Sequence, residues 1–426
     1  MQKSDPRYAA YVSILKKHLI PAMGCTEPIA IAYAAAAARH ALGELPERAQ
    51  VLVSGNIIKN AKSVTVPNTS GRKGIEAACA AGLIAGDHTK KLEVISHVTG
   101  EQLQEIDGYL EKKVISVSLK EDARLFDILI IAEGKGHTAT ARITDRHTNL
   151  IDLTLDGQPI IRLQSDEQAE EADPDEMLLS IEGAYDFADS CDLEDIEETL
   201  NLQILCNTAI AKEGMTGKWG AGVGRMLMDS WGADEVRIRA RAMAAAGSDA
   251  RMSGCEMPVI INSGSGNQGL TVSLPIVEYA KAGNIGKERL FRALALANLT
   301  AIRQKMLIGT LSAYCGAVSA GCAAAVGVAY LNGGDLNLVN HTLVNGLAIL
   351  SGTICDGAKP SCAAKIACAI DGALMGYEMA LSGREFRGGE GIVKKGVENT
   401  IRNVGRLGRD GMRETDQEIL RIMIDC

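Results

Sequence analysis

The chain has 426 residues, a formal net charge of -9, 45 glycines and only 4% aromatic residues. That length buries a large core and predicts two domains, and the acidic balance leaves no basic footprint for nucleic acid. Its eleven cysteines are not paired at short loop spacings. In a reducing cytoplasm they are expected to be metal ligands, catalytic thiols or apolar fillers rather than disulfides.

Apolar positions at helical spacing (Tyr8, Tyr11, Val12, Leu15, Leu19) predict a first helix over 6–20. No apolar core with a small-residue cleavage site marks a signal peptide there, so a cytoplasmic location is expected. After the turn PAMGCTEP a second, almost wholly apolar helix is expected beyond Pro28. Proline suits the first turn of a helix, which puts Cys25, Thr26 and Glu27 at or just before its N-terminus. The partial positive charge at such an end lowers a thiol pKa toward the thiolate, making Cys25 a candidate base. The plainer alternative makes Thr26 a cap and Cys25 a filler.

From about residue 45 the period changes. AQVLVSGNII, KLEVISHVTG, KKVISVSLK, FDILIIAEG, HTATARITDRH and NLIDLTLDG read as strands, with a helical pattern, RKGIEAACAAGLIAG, between the first two. This predicts an α/β domain over 45–165. Its loop VPNTSGRKG (66–74) has the composition of an anion cradle for a carboxylate, but it lacks the spacing of a phosphate-binding P-loop. The acidic run at 165–176 reads as a solvated linker, and nearly everything from 166 to 426 reads as helical. Within that part, Ser263–Gln268 reads as a polar, non-helical loop whose backbone can approach a ligand closely.

Between Lys305 and Asp335 there is no charged residue. The stretch is long enough to score as a membrane span. Its Gly, Ala, Ser and Cys content and the lack of basic or aromatic flanks predict one or two buried helices instead. Cys315 and Cys322 lie in it, and Cys355 and Cys362 follow around the turn DGAKP. A zinc site usually shows a tighter C-x₂₋₄-C pair. Cys315, Cys355 and Cys362 in apolar, Gly-rich surroundings suit an iron–sulfur cluster with one open iron better. Cys79, Cys206, Cys322 and Cys368 lie in Ala-rich helical patterns, where filler is the default. Cys426, the last residue, has two readings: a thiol that reaches the open iron, or a frayed tail.

GCTEP (24–28), VPNTSGRKG (66–74), AAGSDARMSG (245–254), SGSGNQGL (263–270), Cys315 and ICDGAKPSC (354–362) occur in this order. Together they resemble the iron–sulfur-dependent L-cysteine desulfidase family, which is related to the α-chain of bacterial L-serine dehydratases. The resemblance spans essentially the whole chain. It implies a [4Fe–4S] enzyme, independent of pyridoxal phosphate, that converts L-cysteine to pyruvate, ammonia and sulfide. Cys315, Cys355 and Cys362 fall where that family has its cluster ligands, and Cys25 falls where it has a further functional cysteine. Gly24–Cys25–Thr26–Glu27 stands in place of the Ser–His–Thr type motif of the dehydratases, which favours the desulfidase branch.

The residues leave alternatives: an L-serine or L-threonine dehydratase with the same cluster, or a non-catalytic thiol-rich protein that holds metal. Asn68, Thr69 and Ser70, with Ser265, Gly266 and Asn267, are the candidate donors to a substrate carboxylate. The expected fold is α+β, with a large helical cluster-binding domain (166–426) and a smaller α/β domain (45–165) inserted after N-terminal helices (1–44) that pack on the helical domain. The expected partner is a small molecule, L-cysteine, with no nucleic acid and no membrane; a homo-oligomer is compatible with this.

Overall fold

The computed structural model describes residues 1–121, 124–163, 173–309 and 311–424. The first part of the chain forms α1 (Pro6–His18), β1 (Pro21–Met23), α2 (Thr26–Leu42), β2 (Arg48–Val53), α3 (Gly55–Ala61), α4 (Gly74–Ala85), α5 (Gly100–Glu111), β3 (Ile115–Leu119), β4 (Asp127–Gly134), β5 (His137–Thr144), β6 (Leu150–Leu155) and β7 (Gln158–Arg162). The second part forms α6 (Pro174–Met177), α7 (Ile181–Ser190), α8 (Glu197–Gly214), α9 (Val223–Trp231), α10 (Val236–Met252), β8 (Pro258–Ile260), α11 (Gly266–Ala282), α12 (Lys287–Ile308), α13 (Gly316–Leu331), α14 (Leu336–Leu350), α15 (Cys362–Leu381), α16 (Val397–Arg406) and α17 (Arg413–Ile424). The fold is α+β, with a six-stranded sheet and a helical body.

The sheet runs β3-β2-β4-β5-β6-β7, with β2 and β3 parallel and the other neighbours antiparallel. Alternate residues of the central strands (Val51, Val53, Ile128, Ile130, Ala139, Ala141) are fully buried, as the period of two demands of a half-covered sheet. Helix α2 lies across β4, β5 and β6 and packs against α4. Its residues Pro28–Ala38 are all buried, which is why its sequence is apolar on every face. Of the two helices within 1–44, α1 packs against α6, α7 and α12, whereas α2 lies on the sheet.

In the helical body α13 is central: every residue from Ala317 to Leu331 is buried, against α11, α12, α14 and α15. Its glycines and alanines let those neighbours approach closely. Among the described residues no helix is long and apolar enough to cross a membrane.

Several local expectations change. KLEVISHVTG is not a strand. Asp87 accepts from the Thr89 amide to start a 3-10 turn, and Thr99 with Gln102 forms a capping box that starts α5. The buried Val94 and Ile95 between them pack into the core rather than into a ladder. The AQVLVSGNII strand ends at Val53, and its second half is α3. Ser265 caps α11, so the loop expected over Ser263–Gln268 turns helical at Gly266. In the acidic run, 165–172 and Cys426 lie outside the described residues. The described end of that run, from Asp173, binds back onto α1: Lys17 pairs with Asp173, and Glu176 Oε1 sits 2.9 Å from Lys17 and 3.0 Å from His18.

A second, two-stranded pairing ties the parts together. β1 pairs antiparallel with β8 (Pro21↔Ile260, Ala22↔Val259, Met23↔Pro258). Asn207 on α8, fully buried, clamps this ribbon: it accepts from Ile260 N–H at 2.9 Å and donates to Ile260 C=O at 3.3 Å. Further along, Asn262 donates to Asn298 Oδ1 at 3.0 Å, and Asn298 and Gln203 exchange amide hydrogen bonds at 2.8 and 3.1 Å.

Stranding a buried backbone group costs about 1–3 kcal/mol. Asn207→Ala is therefore expected to lower the unfolding free energy by an amount in that range, read as a lower urea midpoint at unchanged slope. An unchanged midpoint would show that the clamp contributes nothing.

Candidate active site

Four helices begin at one cavity of about 120 Å³. Cys25 is the N-cap of α2, Ser265 of α11 and Cys315 of α13, and Cys362 is the first residue of α15. All four line the cavity, together with Cys355, Asn267, Glu27, Asn60, Arg251, Gln268 and Lys305. Each helix start carries unpaired N–H groups and partial positive charge. The cavity is thus built for anions.

The β1–β8 ribbon delivers two of these ends. Cys25 follows β1, Ser265 follows β8, and Thr26 Oγ1 donates to Gly264 C=O at 3.1 Å across the gap. Gly24 has φ +57°, and a Cβ there would lie 2.1 Å from Pro67 Cγ. The VPNTSGRKG loop therefore braces the Cys25 turn. It does not supply the cavity: Asn68, Thr69 and Ser70 are absent from its lining. Asn68 donates to Ile95 C=O and Thr69 to Val66 C=O, both at 2.7 Å, and Arg72 pairs with Asp107. The polar groups expected to cradle a carboxylate are spent inside the α/β part. Ser265 and Asn267 do line the cavity, and Gly266 lies behind them against Arg251.

Cys315 and Cys355 are held side by side by an antiparallel bridge, Tyr314↔Ile354. Cys315 N–H donates to Thr353 C=O at 3.2 Å, and Cys355 N–H to Ala313 C=O at 2.6 Å. The two thiols form a tightly coupled pair: the Cys315 thiol donates to Cys355, and Lys59 and Lys305 further favour the Cys355 thiolate. Cys355 is accordingly pushed down and Cys315 up. Of the presumed fillers, Cys79 and Cys322 are fully buried, Cys206 is half-buried, and Cys368 lies on the exposed side of α15.

Cys25 behaves differently from expectation. Burial pushes its thiol well above the ordinary value, and the Glu27 carboxylate adds to this while Arg251 opposes it. Desolvation outweighs the helix end, so Cys25 rests as a thiol donating to Glu27 Oε2 at 3.0 Å. Glu27 Oε1 faces His147 Nε2 at 3.8 Å.

Two cations of this cavity escaped notice in the sequence. Lys305, the residue that opens the uncharged run, is 9% exposed, and burial brings it down to about 8 against the pull of Cys355 and Cys315. Arg251 lies inside the AAGSDARMSG motif and is 3% exposed. For Lys305 the available signal was a charge at the border of an apolar stretch, and for Arg251 its place inside a motif already singled out.

Among the described residues no three His, Cys, Asp or Glu side chains gather closely enough for a single metal ion. A cluster makes another demand: each thiolate takes a different iron, so the sulfurs surround a volume instead of meeting at a point. Three cysteines around one cavity, two of them on adjacent bridge strands and beside a buried lysine, fit that demand.

The chain matches the serine dehydratase alpha chain family over residues 89–421 and belongs to that family. A UPF0597 protein of Desulfitobacterium hafniense is 52% identical over 425 residues, covering 100% of this chain and 99% of the relative. A UPF0597 protein of Finegoldia magna is 47% identical over 97% of this chain and 99% of the relative. One from Bacteroides fragilis is 38% identical over 97% of each.

Burial acts to raise the Glu27 carboxyl, but His147 and the Cys25 thiol outweigh it and hold it at about 2, below the ~4.3 of an unfolded glutamate. Its stabilisation is complete above about pH 4.3 and is lost as pH falls toward 2. Glu27→Gln should therefore be less stable than wild type at pH 7, with the gap closing over that window. Urea midpoints across the range check this, and a gap that stays constant would refute it.

Proposed function

We propose that this member of the serine dehydratase alpha chain family is an iron–sulfur lyase acting on L-cysteine by α,β-elimination. The convergence of Cys25 with Cys315, Cys355 and Cys362 on one cavity rimmed by four helix N-termini carries the reading. Cys315, Cys355 and Cys362 would hold a [4Fe–4S] cluster. Bound there, it supplies a Lewis-acidic iron for the leaving sulfur.

Loss of the Cα proton and of the Cβ thiol gives an enamine, which tautomerises and takes up water to release pyruvate and ammonia. Hydrogen sulfide is the third product. Cys25 rests as a thiol bonded to Glu27, so a role as standing thiolate base gives way to that of a proton carrier at Sγ between substrate and Glu27. The small cavity and its buried walls favour a small substrate and limit water. A cytoplasmic location agrees with cysteines that are all free among the described residues.

The family's serine dehydratase description favours a second reading, L-serine as substrate. Relative rates on L-cysteine and L-serine separate the two. A thiol-rich protein that only stores metal would bind iron and release no pyruvate.

The test is anaerobic purification, iron and sulfide analysis, and pyruvate release from L-cysteine. About four irons per chain are expected. Cys315→Ser, Cys355→Ser and Cys362→Ser should each lose visible absorption and turnover. Cys25→Ser should keep its absorption and lose ~10²–10⁴-fold in rate, the usual scale for proton transfer by a positioned group. Near-normal turnover in Cys25→Ser would remove it from the mechanism, and colourless, inert wild type after cluster reconstitution would overturn the reading.

A further inference from the structure

We propose that Arg251 is the seat of the substrate's α-carboxylate, an inference that rests on the elimination reading and adds a specificity residue to it. Arg251 lies in the last turn of α10, is 3% exposed and lines the cavity. Among the described residues no carboxylate pairs with it. Its Nη1 meets Asn267 Oδ1 at 3.2 Å and Met252 Sδ at 3.6 Å, both weak partners for a full charge. Nε–H is buried and has no acceptor among the described residues, and Nη2 donates to no described residue. Nε packs against Gly266, so Nη2, which is neither sealed nor partnered among the described residues, is the nitrogen left to meet a carboxylate in a charge-assisted hydrogen bond.

A guanidinium cannot shed its proton to escape burial. A buried cation left unpaired is costly, and a ligand carboxylate resolves that cost. The surroundings are shaped for the group. A Cβ on Gly266 would lie 2.3 Å from Arg251 Nε and 2.8 Å from Cζ, so only glycine lets the guanidinium rest against the first turn of α11. Ser265 caps that helix, and its end adds positive charge at the same corner.

The placement also suits the chemistry. Met252, the residue after Arg251, packs against Cys25, and Arg251 acts on that thiol while Lys59 and Lys305 act on Cys355. A small α-amino acid held by its carboxylate on Arg251 has its Cα on the Cys25 side, with the β-substituent free to reach toward the three cluster cysteines.

The experiment is anaerobic calorimetry on the reconstituted protein with two probes. L-Alanine carries the carboxylate without a leaving group, and cysteamine carries the thiol without a carboxylate. Arg251→Gln is expected to weaken L-alanine by ~30-fold or more, the scale of losing one partner of a buried charge pair. Cysteamine binding and the visible absorption should stay within about twofold of wild type. Arg251→Lys keeps the charge without the planar guanidinium and should fall between; if Arg251→Gln does not fold, a selective loss of ~5-fold or more in Arg251→Lys decides the matter. Equal effects on both probes, no effect, or wild type that fails to bind L-alanine would overturn the assignment. Should wild type release no pyruvate from L-cysteine yet bind L-alanine through Arg251, the carboxylate seat stands and the elimination reading falls.

Discussion

Three residues on each of two short strands hold the cavity together. Pairing of Pro21–Met23 with Pro258–Ile260 joins segments more than two hundred residues apart in sequence. A two-stranded ribbon is marginal by itself in water. Here Ala22, Met23, Val259 and Ile260 are buried, and the Asn207 side chain completes the ribbon by bonding both the N–H and the C=O of Ile260. Because Cys25 leaves one strand and Ser265 follows the other, the ribbon sets the distance between two of the four helix ends. The other two, at Cys315 and Cys362, are placed by the Tyr314↔Ile354 bridge and the turn that follows it.

The α/β part frames this arrangement without lining much of it. Pro67 rests on Gly24, and the backbone carbonyl of Lys59 lies where a Cβ on Gly357 (φ +94°) would sit, 2.1 Å away. Lys59 itself is buried and paired with Asp416 of α17. One ion pair therefore joins α3, the C-terminal helix and the Cys355 loop. A buried pair of this kind contributes little net energy but is expensive to break. Its contribution is one of position, since its lysine also favours the Cys355 thiolate.

The helices and the central strands were legible in the sequence, and the resemblance singled out the four cysteines that the fold brings to one cavity. Periodicity reports which face of an element is buried, as in β4, and unbroken apolar runs mark α2 and α13 as helices buried all round. The misreadings share one cause. KLEVISHVTG has the apolar content of a strand, but Asp87, Thr99 and Gln102 satisfy backbone groups locally and start helical turns on either side of it. Asn68, Thr69 and Ser70 have the composition of an anion loop, yet the bonds of Asn68 and Thr69 to neighbouring carbonyls are long-range or turn-internal facts that composition does not carry. Lys305 and Arg251 were missed for the opposite reason. A single charge beside an apolar run, as at Lys305, or inside a motif, as at Arg251, carries no mark of burial, and only the tertiary fold shows it.

Charge balance then explains why the site needs both cations and helix ends. Each helix N-terminus offers an anion about 0.3–1 kcal/mol, and up to ~2 kcal/mol when partly buried. Four of them together approach the several kcal/mol that burying one ion costs. Thiolates at Cys315, Cys355 and Cys362 would take most of this field, aided by Lys305 and Lys59 on their side of the cavity. A second anion in the same small space meets their repulsion and must bring its own counter-charge. Arg251 is the remaining buried cation among the cavity-lining residues without an acidic partner in the described structure. It acts on Cys25, against which its neighbour Met252 packs. On the proposed elimination reading, separate cations for separate anions would let the site hold a charged cofactor and a charged substrate together, with the Cys25 thiol beside the substrate.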